Sequence, residues 1–284
     1  MIQNKPVKVI AVSSGKGGVG KTNISANLAA ALAKNGQSVL LMDADLGMAN
    51  IDIMFGIKPK HDLSHVISGE RSLQEIILYG PLGIKIIPAS SGIGKMAELS
   101  AFELGNLVRA FDQLESEVDV LIIDTAAGIS NSVISFSKAA QEIFVVVCDE
   151  PASVTDAYAL IKVLNREHGV KKFQVIANMV NGSGHGKKIY AKLSRVTEKY
   201  LNISLGYLGA IPMDEKLRKA VKEQKLVVER YPASAATISF FQLAQRVIDL
   251  PLAASSNGFL EFFIERSMFA NSAINDRINI GSYQ

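Results

Sequence analysis

Short apolar runs closed by glycine, aspartate or proline recur along this chain and alternate with stretches of helical spacing. Val7–Val12 is the first run; after a glycine-rich turn, Ile24, Leu28 and Leu32 recur at helical spacing through Asn35. Ser38–Met42 reads as the next buried strand and ends in Asp43-Ala44-Asp45, followed by the irregular segment Leu46–Asp52. Leu63–Leu78 predicts short helical pieces, Ile84–Ile87 a strand before Pro88, and Glu98–Leu114 a helix. Val118–Ile123 is nearly all apolar and runs into Asp124, with a loop from Asp124 to Gly128. The alternation continues with strand Ile143–Cys148, helix Val154–His168, strand Phe173–Ala177, helix Lys187–Leu201 and a last strand around Leu205–Ile211. Helices near Asp214–Gln224 and Ala233–Leu250 close the body.

Uninterrupted apolar strands separated by helices mean a mostly parallel central sheet with helices on both faces, an α/β fold. The 284 residues suffice for one large domain, expected over 1–250, with a linker, an amphipathic helix and a tail in 251–284. A hydrophobic content of 48% with 20% charged residues is globular, and a net charge of +3 does not by itself imply nucleic acid. The single cysteine, Cys148, excludes a disulfide framework and suits a reducing compartment. No secretory signal is expected from Met1–Pro6, and no uncharged apolar run is long enough to span a bilayer.

One stretch carries the chemistry. Gly15-Lys16-Gly17-Gly18-Val19-Gly20-Lys21-Thr22 satisfies G-x-x-x-x-G-K-[ST] between a strand and a helix, the context a phosphate-binding loop needs. Its glycines let backbone N–H groups approach phosphate, and the helix N-terminus favours an anion. Lys21 supplies a point charge for the β- and γ-phosphates, and Thr22 is placed to ligand Mg²⁺. Asp43, Asp45 and Asp124 stand at strand carboxyl ends, where ligands bind in open α/β sheets. Asp124, after four apolar residues, reads as a Walker B carboxylate acting on Mg²⁺.

The additional lysine, Lys16, makes this loop resemble the deviant Walker A motif of the MinD/ParA ATPases. The resemblance implies that Lys16 reaches into the nucleotide site of a second subunit, so that two subunits sandwich two ATP molecules. It assigns hydrolysis to Asp45, Lys16 and Lys21, with Asp45 positioning the attacking water and Asp43 joining Thr22 and Asp124 around Mg²⁺. Asp45–Asp52 and Asp124–Ile129 would be switches I and II. Gly15 through Asn23 would hold the phosphates, and Asn178 with Pro212, Met213 and Asp214 the adenine.

Further residues narrow the likeness. Asp124-Thr125-Ala126-Ala127-Gly128-Ile129, with Ala126 where proline is usual, Cys148-Asp149-Glu150-Pro151, Thr155–Ile161 and Leu260–Arg266 are similar to the flagellar-number regulators, the FlhG/FleN branch. That branch implies a slow, partner-modulated ATPase, ATP to ADP and phosphate, that dimerises with itself and restrains a FleQ-type σ54-dependent activator. It also implies an FlhF-type GTPase and flagellar switch proteins as partners. The location it implies is cytoplasmic, with reversible attachment to the inner membrane at the cell pole. Some members stimulate FlhF through an N-terminal Asp-Gln-Ala motif, which does not stand among Met1–Lys8.

The membrane contact would be Phe259–Phe269, where Phe259, Phe262 and Phe263 gather on one helical face opposite Glu261 and Glu265. The same face would equally suit packing on its own domain. In the helix after Gly186, Ile189, Leu193, Val196 and Tyr200 form a core stripe and Lys188, Lys192, Arg195 and Lys199 a basic one. The basic stripe suits a solvated face, an acidic protein or weak DNA contact. Direct DNA binding is not expected, because the charge is modest and the chain ends in a Phe-rich segment. Division-site and partitioning ATPases remain the alternative. Iron–sulfur relatives need cluster cysteines that one Cys cannot provide.

Overall fold

Burial of both faces turns these apolar runs into neighbouring parallel strands. The computed structural model describes residues 6–45, 50–89, 100–114, 117–182, 184–251 and 262–263. In chain order it contains β1 (Lys8–Ser14), α1 (Lys21–Lys34), β2 (Val39–Ala44), α2 (Ile51–Phe55), α3 (Leu63–Ile67), α4 (Leu73–Ile76), β3 (Leu78–Tyr79) and β4 (Lys85–Ile87). There follow α5 (Ala101–Asp112), β5 (Val120–Ala127), α6 (Asn131–Ala139), β6 (Glu142–Val147), α7 (Pro151–His168) and β7 (Gln174–Val180). The last elements are α8 (His185–Leu201), β8 (Gly206–Pro212), α9 (Glu215–Lys222), α10 (Val227–Arg230) and α11 (Ala235–Asp249). The strands form one sheet in the order β3-β4-β2-β5-β1-β6-β7-β8, parallel except for β3, which runs against β4.

This is the expected α/β sheet, covered on both faces. Ile10, Val12, Leu41, Ile122 and Phe144 face one way, toward α1 and α11. Val9, Ala11, Leu40, Leu121 and Ile123 face the other, toward α3, α5 and α6. The central strand β1 lies between β5 and β6, so the loop at its end opens into the crevice where the chain's winding direction changes. At the opposite end of β1, the buried Lys8 donates to the carbonyls of Val247 (2.6 Å), Ile248 (3.3 Å) and Leu250 (2.6 Å). These are orphan carbonyls at the end of α11, and the ammonium ties that end to the sheet. Desolvation lowers the Lys8 pKa.

Several boundaries differ from the periodicity. The helix predicted from Glu98 begins at Ala101, because Ser100 and Glu103 form a capping box: Glu103 N–H donates to Ser100 Oγ (3.2 Å) and Ser100 N–H to Glu103 Oε2 (2.8 Å). The residues just before Ser100 lie outside the described ones. Helix α6 lies in a stretch to which the periodicity assigned no element, and Val133 and Phe136 are buried along one side of it. In α8, Ile189 and Leu193 are buried as predicted, but Tyr200 is 54% exposed, with the Lys199 ammonium 5.1 Å from its ring centre. Position 200 lies in the last turn of α8, so the expected core stripe stops short of it.

The helix predicted from Phe259 lies outside the described residues except for Phe262 and Phe263, which form a turn with Phe263 at φ 59°. Both side chains are 0% exposed, within the layer that holds α3 and α5. The Phe111 ring of α5 meets them edge-on, with centroids 4.7 Å from Phe262 and 5.5 Å from Phe263. The packing alternative, open in the sequence, is the arrangement seen here for these two residues.

Candidate nucleotide site

The carboxyl end of β1 delivers the glycine loop directly to the N-terminus of α1. Gly20 occupies the position before α1 at φ 89°, and no side chain caps the helix, so its first N–H groups are left for an anion. Two glycines are required by close approach. A Cβ on Gly15 would lie 2.0 Å from the Asp156 carbonyl oxygen in α7, and one on Gly20 would lie 2.5 Å from the Asn178 side chain. Gly18, at φ 77°, is required by backbone conformation instead. Gly17 has an ordinary contact, and Val19 is buried beneath the loop.

Lys21 is buried, and its ammonium donates to Ser14 Oγ at 3.0 Å. Desolvation lowers its pKa, with Asp124 and Asp45 acting in the opposite sense. Asn23, in the first turn of α1, has a buried side-chain oxygen with no partner among the described residues. Lys16 instead points outward and pairs with Glu150, at the start of α7. That ion pair raises the Lys16 pKa.

Asp43 and Asp124 are direct neighbours across β2 and β5, both almost completely buried. Like charges opposite one another on adjacent strands repel, and burial adds to the penalty. Desolvation, reinforced by Asp124, pushes Asp43 up to about 7. Desolvation likewise takes Asp124 to about 6, with hydrogen bonds from Thr22 and Ser25 and the nearby Lys21 opposing it. A bound divalent cation would relieve this repulsion, so the donor set fits one. Among the described residues no three His, Cys, Asp or Glu side chains converge. Mg²⁺ takes most of its ligands from phosphate and water, so two neighbouring carboxylates suit it.

The two carboxylates have different work. Asp43 Oδ1 accepts from the Asp45 N–H (3.0 Å), and Oδ2 from the Asn50 (2.9 Å) and Ile51 (3.0 Å) N–H groups. It therefore clasps both ends of the segment leading into α2, beside the place expected for Mg²⁺. Asp124 faces Thr22, Ser25 and Lys21 at the start of α1. Asp45 follows β2 directly and is half-buried, beside the other charged groups of the site. The second switch is partly sheet: β5 runs on to Ala127, with Ser14 paired to Ala127 and the Gly128 N–H donating to Ser14 O at 2.9 Å. Alanine at 126, lacking proline's ring, lets the strand continue.

The residues expected beside the adenine lie at the ends of β7 and β8. Asn178 is buried at the end of β7 and donates through Nδ2 to the Val19 carbonyl at 2.7 Å, bracing the loop. Asp214 is occupied as a cap, accepting from Lys216 N–H (2.7 Å) for α9 and from Ala236 N–H (2.8 Å) for α11. Met213 is 51% exposed beside Pro212, and Met179, which periodicity did not single out, is 40% exposed at φ 55°. Two exposed thioethers at the ends of adjacent strands offer a soft apolar surface for a flat base. Met179's only sequence signal is its place directly after a strand-end Asn.

Residues 5–248 match the ParA family model, described as an iron-transfer P-loop NTPase. The chain is 52% identical over 261 residues to the antiactivator FleN of Pseudomonas aeruginosa, covering 92% of this chain and 93% of that one. The chain belongs to the MinD/ParA family of P-loop ATPases. It is also 38% identical over 238 residues to the flagellum site-determining protein YlxH of Helicobacter pylori, covering 84% of this chain and 80% of the relative. Its structure resembles the septum site-determining protein MinD of Pyrococcus horikoshii, solved with Mg-ADP, with a TM-score of 0.71 and 25% identity over 85% of this chain and 96% of that chain. Within the MinD/ParA family the chain thus stands with the flagellar relatives, as its motifs implied. The iron transfer in that description is a property of the matched model; in this chain Cys148 is the one cysteine, and it is buried with its thiol pushed up to about 11 by desolvation.

Proposed function

We propose that this protein is an ATP-dependent dimerising switch that limits flagellar number by restraining a FleQ-type activator. The observation that carries the switch is the division of labour between two lysines of one loop. Lys21 is buried in its own phosphate cradle, whereas Lys16 stands on the outer side of that loop, held only by an exposed carboxylate. A cation placed there suits a phosphate delivered on a facing surface, as in a sandwich of two subunits. The flagellar output rests on the likeness to FleN and YlxH.

Lys21 and the N–H groups at the start of α1 hold the phosphates, Thr22 and Asp124 hold Mg²⁺, and Asp45 orients the attacking water. Mg²⁺ supplies charge neutralisation on the transferring phosphoryl group when bound. Positioning and electrostatics carry most of this chemistry, so buried, pre-arranged groups suffice. Asp43 holds the first switch in register with the phosphates.

The further partners are an FlhF-type GTPase, the flagellar switch proteins and, reversibly, the inner membrane at the pole. No helix among the described residues is long and apolar enough to cross a membrane. Attachment would thus use the segment around Phe262 and Phe263, which must first leave Phe111.

The deciding experiment follows ATP-driven assembly by light scattering and counts flagella. Lys16→Ala should still bind ATP but remain monomeric, whereas Lys21→Ala should lose binding. A strain lacking the protein should carry too many flagella. Dimerisation of Lys16→Ala like the parent sinks the sandwich, and normal flagellation with chromosome or plasmid loss points to the partitioning alternative.

A further inference from the structure

Ser25 lies four residues after Lys21 and three after Thr22, so the three side chains share one stripe of α1. A serine inside a helix commonly bonds back to the carbonyl four residues earlier. Here Ser25 Oγ donates instead to Asp124 Oδ1, 2.9 Å away at the end of β5. Ser25 is 0% and Asp124 1% exposed, so no bulk water competes for that bond. The terminal torsion of an aspartate is broad, and a carboxylate without fixed donors turns readily about it. The Thr22 hydroxyl also bonds Asp124, but it has a second task at the cation. Ser25 has no other side-chain partner among the described residues.

We infer that Ser25 is a positioning residue for the Mg²⁺ site: its hydroxyl fixes one oxygen of Asp124 and thereby orients the carboxylate toward the cation. Ser25 touches neither nucleotide nor metal and acts only through Asp124. This rests on the nucleotide–Mg²⁺ reading above. Outer partners that orient a metal-facing group change metal affinity by roughly 10–100-fold, which sets the expected size.

The test is a Mg²⁺ titration of the full-length protein with a fluorescent N-methylanthraniloyl-ADP. In Ser25→Ala the Mg²⁺ concentration for half-maximal binding should rise about 10-fold or more, while nucleotide affinity in EDTA stays at the parent value. Ser25→Cys keeps the shape and a weak donor, so it should fall between the two; it also decides the matter if Ser25→Ala does not fold by circular dichroism. In an Asp124→Asn background, Ser25→Ala should add nothing. An unchanged Mg²⁺ requirement in the folded variant, or an equal loss in EDTA, would show that Ser25 only packs and overturns the inference. If the parent protein itself binds the nucleotide equally with and without Mg²⁺, the site reading fails instead.

Discussion

Asp43 with Asp124, and Phe262 with Phe263, are two pairs of side chains removed almost completely from water, with opposite consequences. The carboxylates are neighbours on adjacent strands, disfavoured by desolvation and by each other. The aromatic rings meet a third ring edge-on and contribute favourably through both apolar burial and ring geometry. The first pair holds a destabilisation that a bound cation removes. The second holds a stabilisation that any relocation of the C-terminal segment must offset. Burial depth alone thus does not tell a binding site from a packing site; what decides is whether the buried groups are satisfied without a ligand.

The largest expected effect is on chemistry at the polar pair's edge. Asp45→Ala should still dimerise with ATP but release phosphate roughly 10²–10⁴-fold more slowly, the usual contribution of a group that positions or deprotonates a nucleophile. Parent-like phosphate release with partner proteins present would remove Asp45 from that role.

Truncation on the apolar side should act on stability instead. Phe262→Ala or Phe263→Ala should each cost about 3–5 kcal/mol in chemical denaturation if the niche is occupied as seen here. Phe262→Glu with Phe263→Glu should also abolish liposome co-sedimentation of the ATP-bound protein. Unaltered denaturation of both alanine variants would mean that the aromatic pair spends little time beside Phe111, and the contrast between the regions would collapse.

A further expected effect is a pH slope. The carboxyls of Asp43 and Asp124 are raised from an ordinary 3.8 to about 7 and about 6. A carboxyl with a raised folded-state pKa keeps its proton longer when folded than when unfolded. On this count the metal-free protein is most stable in acid and loses stability as pH rises from about 4 to about 7. Melting temperatures in EDTA should decline across that window, and saturating Mg²⁺ with ADP should flatten the decline. A flat profile in EDTA would show that the pair is not under the electrostatic load described.

Much of this was legible in the sequence because it is local. Val9–Val12, Val39–Met42 and Val120–Ile123 are apolar throughout since both faces are covered, and the loop Gly15–Thr22 carries its chemistry in consecutive residues. Three kinds of feature were not. Helix α6 fell between the predicted elements, where serines, which favour caps and turns in isolation, interrupt the apolar residues. The duties of Asp43, Asn178 and Asp214 depend on which backbone groups reach them: the carboxylates on N–H groups within 22 residues, the amide on a carbonyl 159 residues away. Each residue type was right for its location, yet a single sequence does not show which hydrogen bonds have already been used. The seating of Phe262 and Phe263 against Phe111 is a third case, since a helical wheel gives a segment its apolar face but not the surface that face meets.

The clasp of Lys8 on the end of α11 fixes where the C-terminal segment departs from the body. From Pro251 to Phe262 is 262 − 251 = 11 residues, a reach of at most roughly 40 Å. A covalent connection of that span keeps Phe262 and Phe263 always within reach of their seat beside Phe111. A bilayer that took up Phe262 and Phe263 would therefore compete with an ever-present intramolecular partner, not with water. An isolated peptide of the same residues should partition into lipid more readily than the intact protein does, and the ratio of the two measures how firmly the niche holds.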